Sequence, residues 1–401
     1  MTVIRPRPPT DPLVLDVAAG DGPSWNVETQ AESLERARAE VLAAPGALDI
    51  APSMLVEYDT RRPESRLFAV LQAASRIRGA VDRVVVVAGG GLGPGTRLLA
   101  AACCHPFHDH LARGDRGGRP RLSWLDGDSS PDELRGLLDV VAPPGRPPGR
   151  DLLDRWTVLA ADEPRDDPAT LAIVRLLLAA RARAADGNDG PQLLTIATPG
   201  SELERLASAI GQAERFAASA PLDGPLGLLT AAGLLPAAIA GIDVVQLLKG
   251  AHAMVVRFAE APPTVNPVLL DAAVSFREAG AGRPGRRFAV EDRSLAELAA
   301  WYHRLRPTRL ADAAAVTRIQ GGMPRRDWPS PADPGDSGGG LAPAATGVHR
   351  ASGRAAEPAA ITIRLPRIDE HALGQLLQLL ALSAAVEERL RVAESTQASP
   401  T

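Results

Sequence analysis

Aromatic residues make up only 3% of this 401-residue chain. Its interior must therefore be filled by Ala, Leu, Val and Ile, which suit α/β layers. Lysine is nearly absent: Lys249 is the only one, and the remaining basic charge is arginine, a bias read as the mark of a GC-rich genome. Cysteine is confined to the neighbours Cys103 and Cys104. A disulfide between adjacent residues is strained, so two reduced thiols in an apolar helical stretch are expected, as in a reducing cytoplasm. No apolar run reaches the 18 or so residues a membrane span needs. The opening MTVIRPRPPTDP lacks the apolar core of a secretory leader. A net charge of −4 and a pI near 6.0 give no electrostatic case for nucleic acid or a membrane surface. The expectation is a cytoplasmic protein with neither as a partner.

What is present is an alternation of short apolar runs and helical patterns. Residues 1–25 are rich in Pro, Asp and Gly and read as a flexible, extended N-terminus. Val27–Leu42 and Leu67–Arg78 have helical spacing. Val84–Val87 is four consecutive valines ending in glycines, the mark of a central parallel strand. Leu122–Leu125, Trp156–Ala160 and Leu193–Ala197 repeat the pattern, each followed by a turn and a helix at Pro131–Val140, Pro168–Arg183 and Glu202–Gln212. Strand, helix, strand at this spacing predicts a doubly wound parallel sheet. Ala142–Arg150 is a surface linker. Beyond Gln212 the chain reads as helical through Leu229–Leu248 and Asn266–Ala279. A strand at Arg287–Val290, a helix at Leu295–Arg304, a strand at Ile361–Leu365 and a final helix at His371–Glu394 follow. Residues 328–359 are Pro, Gly, Ala and Ser without period and read as a disordered insertion.

Three segments carry a resemblance: VVVVAGGGLGPGTRLLAAACCHP at 84–106, LLTAAGLLPAAIAGIDVVQLLKGA at 228–251, and PRIDEHALGQLLQLL at 366–380. Their order and separation resemble the phosphoglucose isomerase family, the sugar-phosphate isomerases built on paired sugar-isomerase (SIS) domains. The resemblance implies an α/β fold of two SIS-type doubly wound units, with parallel sheets flanked by helices. The divisions expected are a first unit over 26–217, a second over 218–327 and 360–394, an insertion over 328–359 and a flexible tail over 395–401. The family reaction interconverts glucose 6-phosphate and fructose 6-phosphate, in glycolysis and gluconeogenesis. It needs a carboxylate base, a ring-opening acid/base group, a cation near the developing oxyanion and donors for the phosphate.

The residues at the matching positions depart from that chemistry. The family's Gly-Gly-Ser loop falls on Gly90, Gly91 and Leu92. Gly90 and Gly91 are candidate binding residues, a remnant of the phosphate loop whose N–H groups could still be offered to an anion at the helix start; a tight strand-to-helix turn is the plainer reading of them. The Ser-Lys-Ser-Gly-Gly-Thr loop falls on Ala161-Asp162-Glu163-Pro164-Arg165-Asp166-Asp167. Four carboxylates there would repel a dianion by about 1 to 4 kcal/mol per pair, and Asp167-Pro168 reads as a self-capped helix start. A cation site is the other use of that cluster. The family's active-site arginine falls on Pro225, its glutamate on Thr308 and its histidine near Arg325. The lysine the family carries after its Leu-rich helix has no counterpart, since the chain continues AESTQASPT.

The histidines present do not replace the missing one. His105, His108 and His110 read as a helix-ending turn, with a metal site the weaker alternative. His252 and His303 read as packed or solvated helix residues, His349 as a surface residue, and His371 as a helix opener or an inherited subunit contact. No catalytic residue, metal or cofactor is assigned. The expectation is a family protein that has lost isomerase activity. It could take a sugar-phosphate-like ligand, and act as a homodimer or as a heterodimer with a complete paralogue. Two alternatives stand beside it: an active sugar-phosphate isomerase with displaced catalytic groups, and a binding or regulatory module for a carbohydrate derivative.

Overall fold

The computed structural model describes residues 12–17, 27–44, 50–90, 92–143, 151–161, 168–183, 193–211, 214–217, 225–305, 314–323 and 360–398. The chain opens with strand β1 (Val14–Val17) and helices α1 (Ala31–Ala43), α2 (Ile50–Thr60) and α3 (Arg66–Ala80). An α/β alternation follows: β2 (Arg83–Ala88), α4 (Leu92–Cys103), β3 (Arg121–Leu125), α5 (Pro131–Val141), β4 (Trp156–Ala161), α6 (Pro168–Arg183), β5 (Leu193–Ala197), α7 (Glu202–Ile210) and β6 (Glu214–Ala217). Helices α8 (Ala231–Ala240), α9 (Val244–Glu260) and α10 (Pro267–Gly280) come next. Then follow β7 (Gly285–Val290), α11 (Leu298–Leu305), β8 (Ala314–Met323), β9 (Ile361–Arg367) and the long α12 (Glu370–Ala398). The insertion expected at 328–359 lies outside the described residues.

The first sheet is five parallel strands in the order β3-β2-β4-β5-β6. Val84–Val87 are each no more than 1% exposed. Burying a valine side chain fully is worth about 1.5–3 kcal/mol, so this run holds an interior strand. It is second in the order, with β4 in the middle. Period-two alternation splits its side chains: Val84 and Val86 join the larger core, while Val85 and Val87 join a second cluster with Val158, Val174 and Leu177. Helix starts are set locally. Ser130 and Glu133 form a reciprocal capping box at α5, and Ser65 Oγ accepts from the Phe68 amide at α3. The Asn266 amide oxygen accepts from Val268 N, while its Nδ2 donates to Phe258 O, tying the start of α10 to the end of α9.

The second sheet has the order β1-β9-β8-β7, with β7, β8 and β9 parallel and β1 antiparallel to β9. Its first strand corrects one expectation. Residues 1–25 were read as a flexible N-terminus, yet Val14–Val17 pair with Ile361–Arg364. The Leu13 amide, fully buried, donates to Gln375 Oε1. Helices α1 and α2 likewise pack on α12 and α9 rather than staying with the first sheet. Helix α12 continues to Ala398, into the stretch read as a tail. Helix α2 and strands β6 and β8 were not foreseen.

Two features hold the second unit together. Helices α9 and α12 cross backbone to backbone: a Cβ on Gly250 would lie 2.0 Å from His371 O, and one on Gly374 would lie 2.0 Å from Leu247 O. Only glycine fits there. Beneath β7, the fully buried Asp271 accepts from Arg286 Nη1 at 2.8 Å and Nη2 at 2.5 Å, and from Ser383 Oγ at 2.5 Å. Arg286 Nε donates to Thr317 Oγ1 at 2.8 Å. Burial disfavours the Arg286 charge, but Asp271 and Tyr302 outweigh it and push its pKa above the usual arginine range. This pair joins α10, α12, β7 and β8.

Candidate functional site

In a sheet of order β3-β2-β4-β5-β6 the winding direction reverses between β2 and β4. A crevice outside the carboxyl ends of those strands is where doubly wound sheets bind ligands. The two loops singled out from sequence leave these strands side by side: Val87 pairs with Ala160 and Ala88 with Ala161. Gly90 lies in the first loop with φ +53°, a conformation suited to glycine. Gly91 lies outside the described residues, as do Asp162, Glu163, Pro164, Arg165, Asp166 and Asp167. Helix α6 begins at Pro168.

The first loop has turned inward. Gly93 N donates to Gly89 O within the turn, at 3.4 Å. Leu92, which the sequence resemblance matched to a serine, is 2% exposed and part of the main core. The hydroxyl of Thr96 donates back to Leu92 O and Gly93 O, so it serves its own helix. A similar closure occurs at α8. Thr230 Oγ1 donates to Gly227 O and accepts from Ala232 N, and Thr230 is 4% exposed.

Beside the first turn of α4 stands a charged cluster that sequence reasoning missed. Arg97 lies between two carboxylates, Asp126 at 3.7 Å and Glu297 at 3.5 Å. A Cβ on Gly93 would be 3.7 Å from Arg97 Nη1 and 3.8 Å from Asp126 Oδ2, which places the cluster against the glycine-rich turn. Asp126 follows the carboxyl end of β3 and is held by Ser129, whose Oγ accepts from its amide and donates to its carboxylate. Asp128 pairs with Arg304 at 3.3 Å. The signal that would have found Asp126 is its place: an acid just beyond a parallel strand neighbouring the switch point faces the crevice. Glu297, from just before α11, has no such sequence signal.

The other expected positions divide between the described and the undescribed. Pro225 opens a 3-10 turn, Pro225–Leu229, before α8. Thr308, Arg325 and His349 lie outside the described residues, as do Asp223 and Gly224. Trp301 and Tyr302, in α11 a few residues before Thr308, are 1% and 2% exposed. Among the described residues no group of three or more His, Cys, Asp or Glu stands close enough to hold a metal. His108 Nε2 is 3.0 Å from Pro120 O, His105 Nδ1 accepts from Phe107 N, and His371 Nδ1 meets Gln375 Nε2 at 3.1 Å. Cys103 is buried, Cys104 half-buried, and neither is in a disulfide. A cavity of about 20 Å³ lies away from the crevice, lined by Glu278, Arg286, Tyr302, Thr317 and Glu387. That is room for a water, not for a sugar phosphate. No described helix is long and apolar enough to cross a membrane.

No family model matches the chain. It is 34% identical over 252 residues to the glucose-6-phosphate isomerase of Rubrobacter xylanophilus, covering 61% of this chain and 54% of that protein. It is 30% identical over 239 residues to the same enzyme of Symbiobacterium thermophilum, covering 59% and 50%. The chain thus spans about half the length of the curated relatives it matches. Among solved structures, a glucose-6-phosphate isomerase from Chlamydia trachomatis superposes with a TM-score of 0.67 at 12% identity, covering 96% of this chain and 87% of that one. A hypothetical protein from Thermus thermophilus gives 0.66 at 19% identity, covering 93% and 96%. The resemblance to phosphoglucose isomerases and the SIS-type fold are both shown by these similarities; the structures speak for fold alone.

Proposed function

We propose that this chain, similar in sequence to glucose-6-phosphate isomerases and sharing their fold, does not catalyse their reaction and acts through protein contact, as a homodimer or with a complete isomerase. The observation that carries the reading is Arg97 held between Asp126 and Glu297. Where a phosphate dianion would approach α4, this cluster has one positive charge and two negative ones. Two donors of the turn are engaged within it: Gly93 N on Gly89 O, and the Thr96 hydroxyl on Leu92 O and Gly93 O. An anion there gains little from the helix start and meets repulsion of about 1 kcal/mol or more per carboxylate. The residues at the family's base and cation positions, Thr308 and Pro225, cannot take a carbon-bound proton or offset an oxyanion. A positioned base alone is worth about 10²–10⁴ in rate.

The test is a coupled assay with fructose 6-phosphate. Conversion stays below about a thousandth of an ordinary isomerase rate if the reading holds. Glu297 gives the rival reading its footing, since it sets a carboxylate beside an arginine at the crevice. Turnover that scales with purified protein and is lost in Glu297→Gln would establish a displaced base and overturn the proposal. Light scattering of the chain alone and mixed with a complete isomerase tests the contact role. A monomer that ignores the isomerase would refute it.

A further inference from the structure

The two described sheets end on the edge strands β3, β6, β1 and β7. An unpaired edge recruits other strands, and folds usually blunt it. Strands β1 and β6 are short, at four residues each. Strand β3 is capped by side chains: its Leu122 amide donates to the Asp109 carboxylate, and the Asp126 amide just beyond it to Ser129 Oγ. Strand β7, Gly285–Val290, has six residues and pairs on one side only, with β8.

The direction of its free groups follows from the ladder. The Glu291 amide donates to Ile319 O at 3.2 Å, which continues the pairing with β8. Backbone groups change sides from one residue to the next, so Arg287 and Ala289 also bond towards β8. Phe288 and Val290 turn their amides and carbonyls outward. Among the described residues no strand or side chain takes them. Phe288, Ala289 and Val290 are half-buried, and Arg287 and Glu291 are exposed. Period-two alternation sets Arg287, Ala289 and Glu291 on one face of the sheet and Phe288, packed on Tyr302, on the other.

We propose that β7 is a dimerisation edge: two copies of this chain join β7 to β7, antiparallel and centred on Ala289, so that the second sheet runs on into its copy. This inference rests on the contact reading above and names the surface that makes the contact. In this register Phe288 faces the partner's Val290, and each gives the other an amide and a carbonyl. Arg287 stands opposite the partner's Glu291, at both ends of the crossing. The other registers that keep the outward groups opposed lack this match. Centring on Arg287 sets that arginine against its own copy, and centring on Val290 sets it against Arg293. Centring on Phe288 opposes no charges at all. The edge is thus complementary to itself, and a twofold union uses it up, leaving the short β1 at each end.

Sedimentation velocity from micromolar to submillimolar protein tests this, with circular dichroism melts to check that each variant folds. The parent is expected to show a reversible monomer–dimer equilibrium. Val290→Pro removes an outward amide without breaking a bond to β8 and abolishes the dimer. Arg287→Glu and Glu291→Arg each set like charges opposite one another and weaken the dimer about tenfold or more. Mixing these two variants restores it, because each then meets opposite charge on the other, and so does combining both changes in one chain. Should Val290→Pro fail to fold, the charge variants decide. A parent that stays monomeric overturns the edge, as does a dimer indifferent to these changes or a mixture of the charge variants that stays monomeric. The contact reading fails separately: a dimer indifferent to the β7 variants, or a monomer that binds a complete isomerase, sinks this edge and leaves that reading standing.

Discussion

Removing either partner of the Asp271–Arg286 pair leaves a buried charge without its counter-charge. Asp271 is fully buried and Arg286 is 8% exposed. Arg286→Met leaves the carboxylate with Ser383 Oγ as its remaining side-chain donor among the described residues; Asp271→Leu leaves the guanidinium facing Thr317 and Tyr302. Either single change is expected to cost about 3–5 kcal/mol. The double change removes both charges and strands the Thr317 and Ser383 hydroxyls, at about 1 kcal/mol each, while the Tyr302 hydroxyl loses a long 3.5 Å contact. It is therefore expected to lie within about 2 kcal/mol of the parent. The double-mutant cycle should show a coupling of at least about 3 kcal/mol. At roughly 2 °C of melting temperature per kcal/mol, the single variants would melt on the order of 6–10 °C lower, and the double variant would recover most of that. Urea midpoints read with the slope held constant check the assignment to stability. If both single variants cost under about 1 kcal/mol and their effects add, the pair is hydrated in solution and the reasoning fails.

The glycine crossing makes a sharp contrast: Gly250→Ala and Gly374→Ala meet backbone at 2.0 Å and should lower the melting temperature by several degrees or prevent folding, whereas Gly79→Ala in α3 has nothing within 4 Å and should stabilise by about 0.5–1 kcal/mol. Equal melting temperatures across the three would show that α9 and α12 do not cross as described. Acid sensitivity should trace in part to Glu278. Burial raises its pKa, but hydrogen bonds from Arg283 and Arg277 prevail and hold it below its ordinary 4.5. A depressed folded value stabilises above pH 4.5, and that stability is lost as pH falls from there through the folded value. Glu278→Gln should flatten the acid limb below that point in a stability–pH profile, with no change in slope above pH 6.

The first sheet was legible because its strands are short, wholly apolar and bounded by turn residues; a run such as Val84–Val87 admits little else. Strand β8, AAVTRIQGGM, was missed because the buried Thr317 and the half-buried Arg318 and Gln320 dilute the apolar signal. Strand β1 was missed because Pro and Asp surround it and its partner is β9, at the far end of the sequence. In the crevice, a leucine at position 92, with no side-chain donor, was legible in the sequence. Its burial in the core was not, since a leucine after glycines fits a turn or a core equally. The clamp on Arg97 joins residues 29 and 200 positions apart and rests on tertiary proximity alone.

The pairing of β1 with β9 has a consequence for synthesis. All five strands of the first sheet lie between Arg83 and Ala217, so that sheet closes while the rest is still being made. The Leu13 amide and its acceptor on Gln375 are 362 residues apart. At about 5–20 residues per second, they are separated by roughly 20 to 70 s of translation. Through that interval Val14–Val17 wait without their sheet, and any other strand edge in the cell is a competitor. Four residues with an aspartate at position 16 make a poor template for such an encounter. The brevity of β1, which looks like weakness in the finished sheet, keeps the waiting chain unpaired until β9 arrives.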